Sequence, residues 1–306
     1  MMLLQLNQPI LKDNRVFLSW DSDLLFKSNS FWIEYENKDY INASVKVLSR
    51  LYLPICLAFA AIEKVEIRLP VDLGQEVVEW VNVLSTFCKK LYKHGSVPIL
   101  KNGIFFEKEL WGTSRKKTAI LFGGGVESLA ALSKMRNEGK DYCLVSLGGN
   151  SWPGSDPKVN EIKFLMDQKI SNDLGAALIK IRTNFREILD DKQWYPFLKE
   201  RVHISNAALF LPFNIAAVLP VADYFEIESV ASGNEKENNC TTELFSFSDV
   251  STSMLQRIFP RLRYESFFNN LWKIKIVEKL FLEGPDLVKY QYSCNKNVGQ
   301  RWCLNC

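Results

Sequence analysis

Three consecutive glycines, Gly123 to Gly125, separate an apolar run from an amphipathic run in the stretch AILFGGGVESLAALSKM. Glycine lacks a Cβ atom, so its backbone adopts positive φ angles and lets a ligand approach closely. A helix that begins just after the glycines presents unpaired N–H groups and the positive end of its dipole. These residues therefore suit the binding of an anion, above all the phosphates of a nucleotide. A tight strand-to-helix turn without a ligand is the alternative.

A second group of chemically active side chains stands near the end of the sequence. Cys294, Cys303 and Cys306 have the spacing C-x8-C-x2-C in the segment YQYSCNKNVGQRWCLNC. A C-x-x-C turn lets two thiolates reach one metal ion, and tetrahedral zinc takes four ligands. The three cysteines predict a zinc site whose fourth ligand is Cys240, a histidine, water or a later residue. Three free thiols are the alternative.

The glycine stretch resembles the pyrophosphate-binding loop S-G-G-x-D-S of the PP-loop ATP pyrophosphatase superfamily. Aligned on that pattern, Gly124, Gly125 and Ser128 match it. Gly123 replaces the serine of the pattern, and Glu127 replaces its aspartate. The spacing is neither that of a dinucleotide-binding G-x-G-x-x-G motif nor that of a Walker loop. The resemblance implies that ATP contacts Phe122, Gly123, Gly124, Gly125, Val126 and Ser128.

The C-terminal end is similar to that of the 7-cyano-7-deazaguanine synthase family of PP-loop enzymes. That family has a K-x-x-I-V helix, then an S-C pair, then a C-G-x-C-x-x-C cluster that holds structural zinc. Ser293 and Cys294 match the S-C pair, and the two later cysteines match the start of the final cluster. A leucine replaces the glycine of the cluster, and its last cysteine is absent. The two motifs stand in the family's order over residues 118–306.

These resemblances imply an ATP-dependent ligase that forms AMP and pyrophosphate. In PP-loop enzymes a carboxylate or carbonyl oxygen attacks the α-phosphorus of ATP, pyrophosphate leaves, and a nitrogen or sulfur nucleophile displaces AMP. Backbone amides and Mg²⁺ stabilise the departing charge. Ser128 would donate its hydroxyl to a phosphate oxygen, and Glu127 would orient the loop or act on Mg²⁺ through water. The helix dipole alone is an equal explanation of an acid in the first helical turn.

The acceptor that the resemblance implies is a small molecule or a protein with a carboxyl or carbonyl group, and the nitrogen donor is ammonia. A homodimer is compatible with it. Two other functions stay open. One is a catalytically degenerate nucleotide-binding or interaction protein, which the replacements at Gly123 and Glu127 favour. The other is adenylation-dependent sulfur transfer to a nucleobase, for which Cys143 and Cys240 are the candidate reactive thiols.

A polar stretch, ESVASGNEKENN, follows a predicted strand and is expected to form a loop at the same sheet edge as the glycines. In related PP-loop proteins a G-x-N-like loop in this place borders the substrate. The candidate substrate contacts are Ser232, Gly233, Asn234 and Glu235. A solvated surface loop is the alternative.

The elements that must position these residues alternate between strand and helix. From Thr118 onwards the strand candidates TAILF, DYCLVSL, AALIKI and YFEIESVA are separated by helical patterns. This order predicts an α/β domain over residues 118–306 with a Rossmann-like parallel sheet, and the resemblance implies the adenine nucleotide alpha hydrolase-like kind with a zinc-binding tail. Ligands bind at the carboxyl ends of the strands of such a sheet, which is where the glycines stand.

Residues 1–117 are predicted to form a smaller α+β domain of unknown role. RVFLSW, FWIEYE and KVEIRLP have the composition of strands, and EVVEWVNVLSTFCKKLYKHG repeats apolar residues at helical spacing. The boundary is placed at the polar stretch GTSRKK. Members of the synthase family begin almost at the phosphate loop, so this domain is additional and leaves room for a protein acceptor.

Composition limits the class of protein. The 306 residues are 47% hydrophobic and 24% charged with a net charge of +3, which is typical of a globular protein and gives no sign of nucleic-acid binding. The two longest apolar runs, Leu51 to Ile62 and Asn206 to Ala222, are too short or too interrupted to span a bilayer and are predicted to be buried helices. The sequence start lacks a secretory signal, so the predicted location is the cytoplasm, without a membrane partner.

Overall fold

The computed structural model describes residues 1–22, 24–88, 93, 95–103, 116–149, 157–194, 196, 210–235, 262–268 and 270–292. Its strands are β1 (Met2–Gln5), β2 (Ile10–Lys12), β3 (Arg15–Ser19), β4 (Ser30–Tyr35), β5 (Val65–Arg68), β6 (Ile99–Lys101), β7 (Lys117–Leu121), β8 (Tyr142–Gly148), β9 (Ala177–Thr183), β10 (Ile227–Glu235) and β11 (Arg263–Phe268).

The α-helices of the described residues are α1 (Val45–Ser49), α2 (Leu53–Ala58), α3 (Gln75–Cys88), α4 (Val126–Asn137), α5 (Pro157–Leu174), α6 (Phe185–Ile188), α7 (Asp191–Trp194), α8 (Phe210–Val218) and α9 (Lys273–Glu283). Short 3₁₀ helices cover Lys38–Tyr40, Arg50–Tyr52, Phe59–Ala61, Leu219–Val221 and Pro285–Tyr290.

The chain is an α/β protein with two sheets. A parallel sheet has the strand order β1-β5-β6, and a mixed sheet of eight strands has the order β11-β10-β7-β8-β9-β4-β3-β2. Two compact units share these elements: Met1–Thr113, Gly149–Trp152 and Arg182–Tyr224 form the first, and Ser114–Gly148, Pro153–Ile181 and Phe225–Cys306 form the second.

In the first unit, β2, β3 and β4 form an antiparallel meander. The two-residue connection between β2 and β3 contains Asp13 at φ 55°, a backbone conformation that tight hairpin turns need. Alternate side chains of β4 (Phe31, Ile33 and Tyr35) are buried, and the strand predicted for FWIEYE is confirmed. The eight-stranded sheet is therefore mixed, because this meander from residues 1–117 adds antiparallel strands to the parallel strands of residues 118–306.

The apolar run Leu51 to Ile62 forms α2 and its flanking 3₁₀ turns, and its residues are buried up to Ala61. The described part of the second apolar run forms α8 and the following 3₁₀ turn, and Phe213 of α8 stacks on Phe185 with ring centroids 4.8 Å apart. The prediction of buried helices is thus confirmed for α2 and for the second run from Phe213 onwards, where Asn214 is partly exposed. None of the helices described has both the length and the apolarity to cross a membrane.

In the second unit, β7 lies between β10 and β8 and is parallel to both, and β11 is parallel to β10. The predicted alternation of strand and helix after Thr118 is confirmed by β7, α4, β8, α5, β9 and β10. Helix α4 buries Leu129, Ala130 and Leu132, and α9 packs against it through Ile276 and Leu280. This packing fixes the start of α4, and with it the glycines between β7 and α4.

A buried hydroxyl in the first unit gives a test of the packing. The Tyr52 hydroxyl accepts a hydrogen bond from the backbone N–H of Ser19 at 2.7 Å and lies 2.9 Å from the carbonyl oxygen of Asn7. We expect Tyr52→Phe to lower the free energy of unfolding by about 1–3 kcal/mol, because both groups lose a buried partner. Tyr290→Phe, at a partly exposed residue, is the control and should change it by less than about 0.5 kcal/mol. Urea-induced unfolding measures both, and equal losses would contradict the buried role of Tyr52.

Candidate functional site

The glycine turn lies at the carboxyl end of β7 and leads directly into α4. Gly124 has φ +67°, a conformation that favours glycine. Gly125 is the N-cap of α4 in an extended conformation, and as a glycine it has no side chain with which to cap the helix. The first amides of α4 therefore have no side-chain acceptor at the N-cap. A Cβ atom on Gly123 would meet no atom of the described residues within 4 Å, so these residues leave the space beside Gly123 open.

Tyr292 packs against the turn from inside the protein. A Cβ atom on Gly124 would lie 2.1 Å from a carbon of the Tyr292 ring, a distance at which one of the two must move. The backbone N–H of Tyr292 also donates a hydrogen bond to the Gly124 carbonyl oxygen at 3.3 Å. The fold itself therefore requires a glycine at position 124. For this residue, the alternative of a tight turn without a ligand is a sufficient explanation.

A buried polar network lies next to Tyr292. The Tyr292 hydroxyl donates to one oxygen of Asp167, a fully buried carboxylate. The Lys163 ammonium lies 2.8 Å from the other oxygen of Asp167, donates to the Ser146 hydroxyl and lies 3.3 Å from the Phe122 carbonyl oxygen. The Ser146 hydroxyl donates to Asp167. Burial raises the pKa of Tyr292 and the charge of Asp167 raises it further, so the phenol stays protonated and donates.

An ion pair stands beside the turn. The Lys273 ammonium, in the first turn of α9, lies 2.6 Å from a carboxylate oxygen of Glu127. The Lys273 side chain is 52% exposed and that of Glu127 is 26% exposed, so both remain accessible to a ligand. Sequence reasoning gave Lys273 no role, although it is the lysine of the quoted K-x-x-I-V pattern. The lysine of that pattern was the sequence signal that could have predicted a positive charge beside the glycine turn.

Ser128 does not direct its hydroxyl outward in this structure. Its Oγ donates to the Gly125 carbonyl oxygen at 2.9 Å, and the residue is 7% exposed. A bond from this hydroxyl to a phosphate would need a change of side-chain rotamer. The role assigned to Ser128 from the sequence stays a prediction.

The four candidate substrate contacts do not form a loop, and that expectation is wrong. Ser232, Gly233, Asn234 and Glu235 belong to β10, because β11 runs beside it and pairs with it as far as Glu235. The Ser232 hydroxyl is buried and shares a hydrogen bond with the hydroxyl of Tyr264, so it faces the protein interior.

Gly233 is the candidate substrate residue that the structure brings to the glycine turn. A Cβ atom on Gly233 would lie 2.1 Å from the carbonyl oxygen of Glu127 in the first turn of α4. The strand therefore passes so close to the helix that only glycine fits. For Asn234 and Glu235 the structure describes the backbone alone.

Cys143 is poorly suited to sulfur transfer. The side chain is fully buried in β8, and burial raises the pKa of its thiol to about 12. A thiol with such a pKa is almost entirely protonated near neutral pH and is a poor nucleophile. Of the two cysteines considered for that chemistry, Cys240 lies outside the described residues.

The predicted zinc ligands, Cys294, Cys303 and Cys306, also lie outside the described residues. Within the part of the chain that is described, no group of three or more histidine, cysteine, aspartate or glutamate residues is arranged to hold a metal ion. The zinc site stays a prediction.

No protein-family model matches this chain, and no curated protein matches it. Its function is therefore inferred from the residues and their geometry. The resemblance to PP-loop enzymes stays an expectation from the sequence.

The contact between Gly124 and Tyr292 is tested by alanine substitution with a matched control. Gly139 also has a positive φ, +62°, but a Cβ atom there would meet no described atom within 4 Å. We expect Gly139→Ala to lower the free energy of unfolding by about 1–2 kcal/mol through backbone strain alone. Gly124→Ala should lower it by about 1–3 kcal/mol more, because the tyrosine ring must shift. Chemical denaturation measures both losses, and equal values would contradict the close approach of Tyr292.

Proposed function

We propose that this chain binds ATP at the glycine turn and adenylates a carboxyl or carbonyl oxygen of an acceptor, as a ligase of the PP-loop type. The observation that carries the proposal is the space beside Gly123 that the described residues leave open. It lies at the carboxyl end of β7, a strand between two parallel neighbours, and next to the start of α4. A helix start with no side-chain cap suits an anion, because its amides and its dipole favour negative charge.

The charged groups near the turn support a polyphosphate ligand. Lys273 offers an exposed ammonium, and its partner Glu127 is acidic but partly accessible. A phosphate group that approached the start of α4 would attract Lys273 and repel Glu127. The carboxylate would then be available for a divalent cation that arrives with the nucleotide. Oxygen ligands of this kind are those that Mg²⁺ takes.

The proposed chemistry needs little from the side chains themselves. The acceptor oxygen attacks the α-phosphorus of ATP, the bond to the bridging oxygen breaks, and the negative charge grows on pyrophosphate. Backbone amides at the turn and the Lys273 ammonium would stabilise that charge. Mg²⁺, held with the phosphates and by Glu127, would supply further charge neutralisation. Ammonia then displaces AMP from the adenylated acceptor, which is a small molecule or a protein.

The fold class that goes with this function is also part of the proposal. Parallel strands β11, β10, β7 and β8 with α4 after β7 are consistent with a Rossmann-like, adenine nucleotide alpha hydrolase-like domain. The acceptor substrate is proposed to bind near the place where Gly233 contacts the first turn of α4.

A binding protein that has lost turnover is the second candidate. Two observations favour it: the Ser128 hydroxyl donates its hydrogen bond to the Gly125 carbonyl oxygen, and Glu127 forms an ion pair with Lys273. Such a protein would bind ATP at the same turn without releasing pyrophosphate. A coupled pyrophosphate assay with ammonia and a panel of carboxylates separates the two functions, because only the ligase gives AMP and pyrophosphate in equal amounts.

Nucleotide binding is tested by thermal unfolding with and without ATP and Mg²⁺. ATP at 100 times its dissociation constant should stabilise the protein by about 2.7 kcal/mol. Gly123→Val should unfold at the wild-type temperature without ligand, since its side chain enters open space, but should lose the shift that ATP causes.

Gly123→Ser is the matched control, because it introduces the serine of the PP-loop pattern at the same position. It should keep the shift. An absent shift in the wild-type protein, or a full shift in Gly123→Val, would refute ATP binding at this turn.

Zinc at Cys294, Cys303 and Cys306 is a separate part of the proposal. Purified protein should contain about one zinc per chain by elemental analysis. Cys303→Ser and Cys306→Ser should each lower the zinc content, because each removes a thiolate ligand. Cys143→Ala, at a buried position in β8, is the control and should leave it unchanged. Zinc-free wild-type protein would refute the site.

A further inference from the structure

The glycine turn is held on both sides of Gly123 by one buried network. Before Gly123, the Lys163 ammonium lies 3.3 Å from the Phe122 carbonyl oxygen. After it, the Tyr292 backbone N–H donates to the Gly124 carbonyl oxygen. Asp167 joins the two contacts, because it accepts hydrogen bonds from both the lysine and the tyrosine hydroxyl.

The network is complete within itself. An ammonium has three donors, and those of Lys163 are matched by Asp167, Ser146 and the Phe122 carbonyl. Asp167 is fully buried and faces the donors of Lys163, Ser146 and Tyr292. A buried, fully satisfied network is rigid, and loss of one member leaves an uncompensated group behind.

Both contacts end on carbonyl oxygens, and this determines where the neighbouring amides point. A trans peptide is planar, so the carbonyl of one residue and the N–H of the next point in opposite directions. A Phe122 carbonyl directed at Lys163 turns the Gly123 N–H away from the network. A Gly124 carbonyl directed at Tyr292 does the same for the N–H of Gly125.

We infer that Lys163, Asp167 and Tyr292 are positioning residues that aim the N–H groups of Gly123 and Gly125 at the phosphates of the nucleotide. The inference rests on the proposed function for the identity of the ligand and on the contacts above for the geometry. The three residues act through the backbone and do not touch the ligand. Their role is specific to the polyphosphate and leaves recognition of the adenosine to other residues.

The experiment compares the wild-type chain with Lys163→Met, Lys163→Arg and Lys169→Met. Lys169 is an exposed lysine on the same helix and provides the matched control. Calorimetric titrations use three probes: ATP with Mg²⁺, inorganic pyrophosphate with Mg²⁺, and adenosine. Hydrogen exchange of the peptide over residues 120–129 is followed without any ligand.

Lys163→Met should weaken ATP and pyrophosphate binding by about tenfold, the loss expected for a misdirected hydrogen bond to a charged group, and should leave adenosine binding unchanged. Exchange should become faster over residues 120–129 and stay at the wild-type rate elsewhere. Lys163→Arg should recover most of the loss, and Lys169→Met should behave as the wild type. Tyr292→Phe, which keeps the ring and the backbone N–H, is the milder variant if Lys163→Met does not fold, and should show the same pattern more weakly.

Equal weakening for adenosine and ATP would overturn the inference, because it would indicate a general loosening of the fold. Unchanged pyrophosphate binding in Lys163→Met would overturn it as well. A wild-type chain that binds no ATP would refute the proposed function. In that case the exchange data alone decide on the geometry: selective acceleration over 120–129 supports it, and unchanged exchange refutes it.

Discussion

A carboxylate that is completely withdrawn from water, as Asp167 is, persists in the folded state only when charge and hydrogen bonds compensate it. Lys163 supplies the charge, and the hydroxyls of Ser146 and Tyr292 supply two further hydrogen bonds. The partners come from β8, α5 and the segment after α9, so satisfying one buried charge draws three parts of the second unit together. The glycine turn lies against this group, and its backbone is shaped by it.

Local patterns were sufficient to predict the elements around the turn. TAILF and VESLAALSKM differ sharply in hydrophobic period, and the glycines between them mark the change from β7 to α4. The local sequence around the turn does not predict the buried network of Lys163, Asp167 and Tyr292 beside it. Asp167 and Tyr292 are 125 positions apart, and Lys163 is one of three lysines on α5. Contacts of that separation depend on the tertiary fold, which periodicity does not contain.

The error at Ser232 to Glu235 has a similar origin. A run of serine, glycine, asparagine and glutamate has the composition of a loop, and composition decided the prediction. In the structure, pairing with β11 at Ser232 and at Glu235 keeps this run in β10, and the missing side chain of Gly233 lets the strand pass close to the start of α4. Strands β1 and β6 have four and three residues and were not predicted. Such short segments contain too few positions to show an alternation of apolar and polar residues.

Gly123 and Gly124 are neighbours in one turn but are subject to different structural constraints. Gly124 is fixed by a tyrosine ring and a positive φ, whereas Gly123 has room for a side chain. Drift at position 124 is therefore opposed by folding whether or not the protein keeps its activity. At position 123 only the proposed nucleotide would oppose it. A descendant without the proposed nucleotide binding would be free to change Gly123 but not Gly124, so the two positions would report separately on function and on folding.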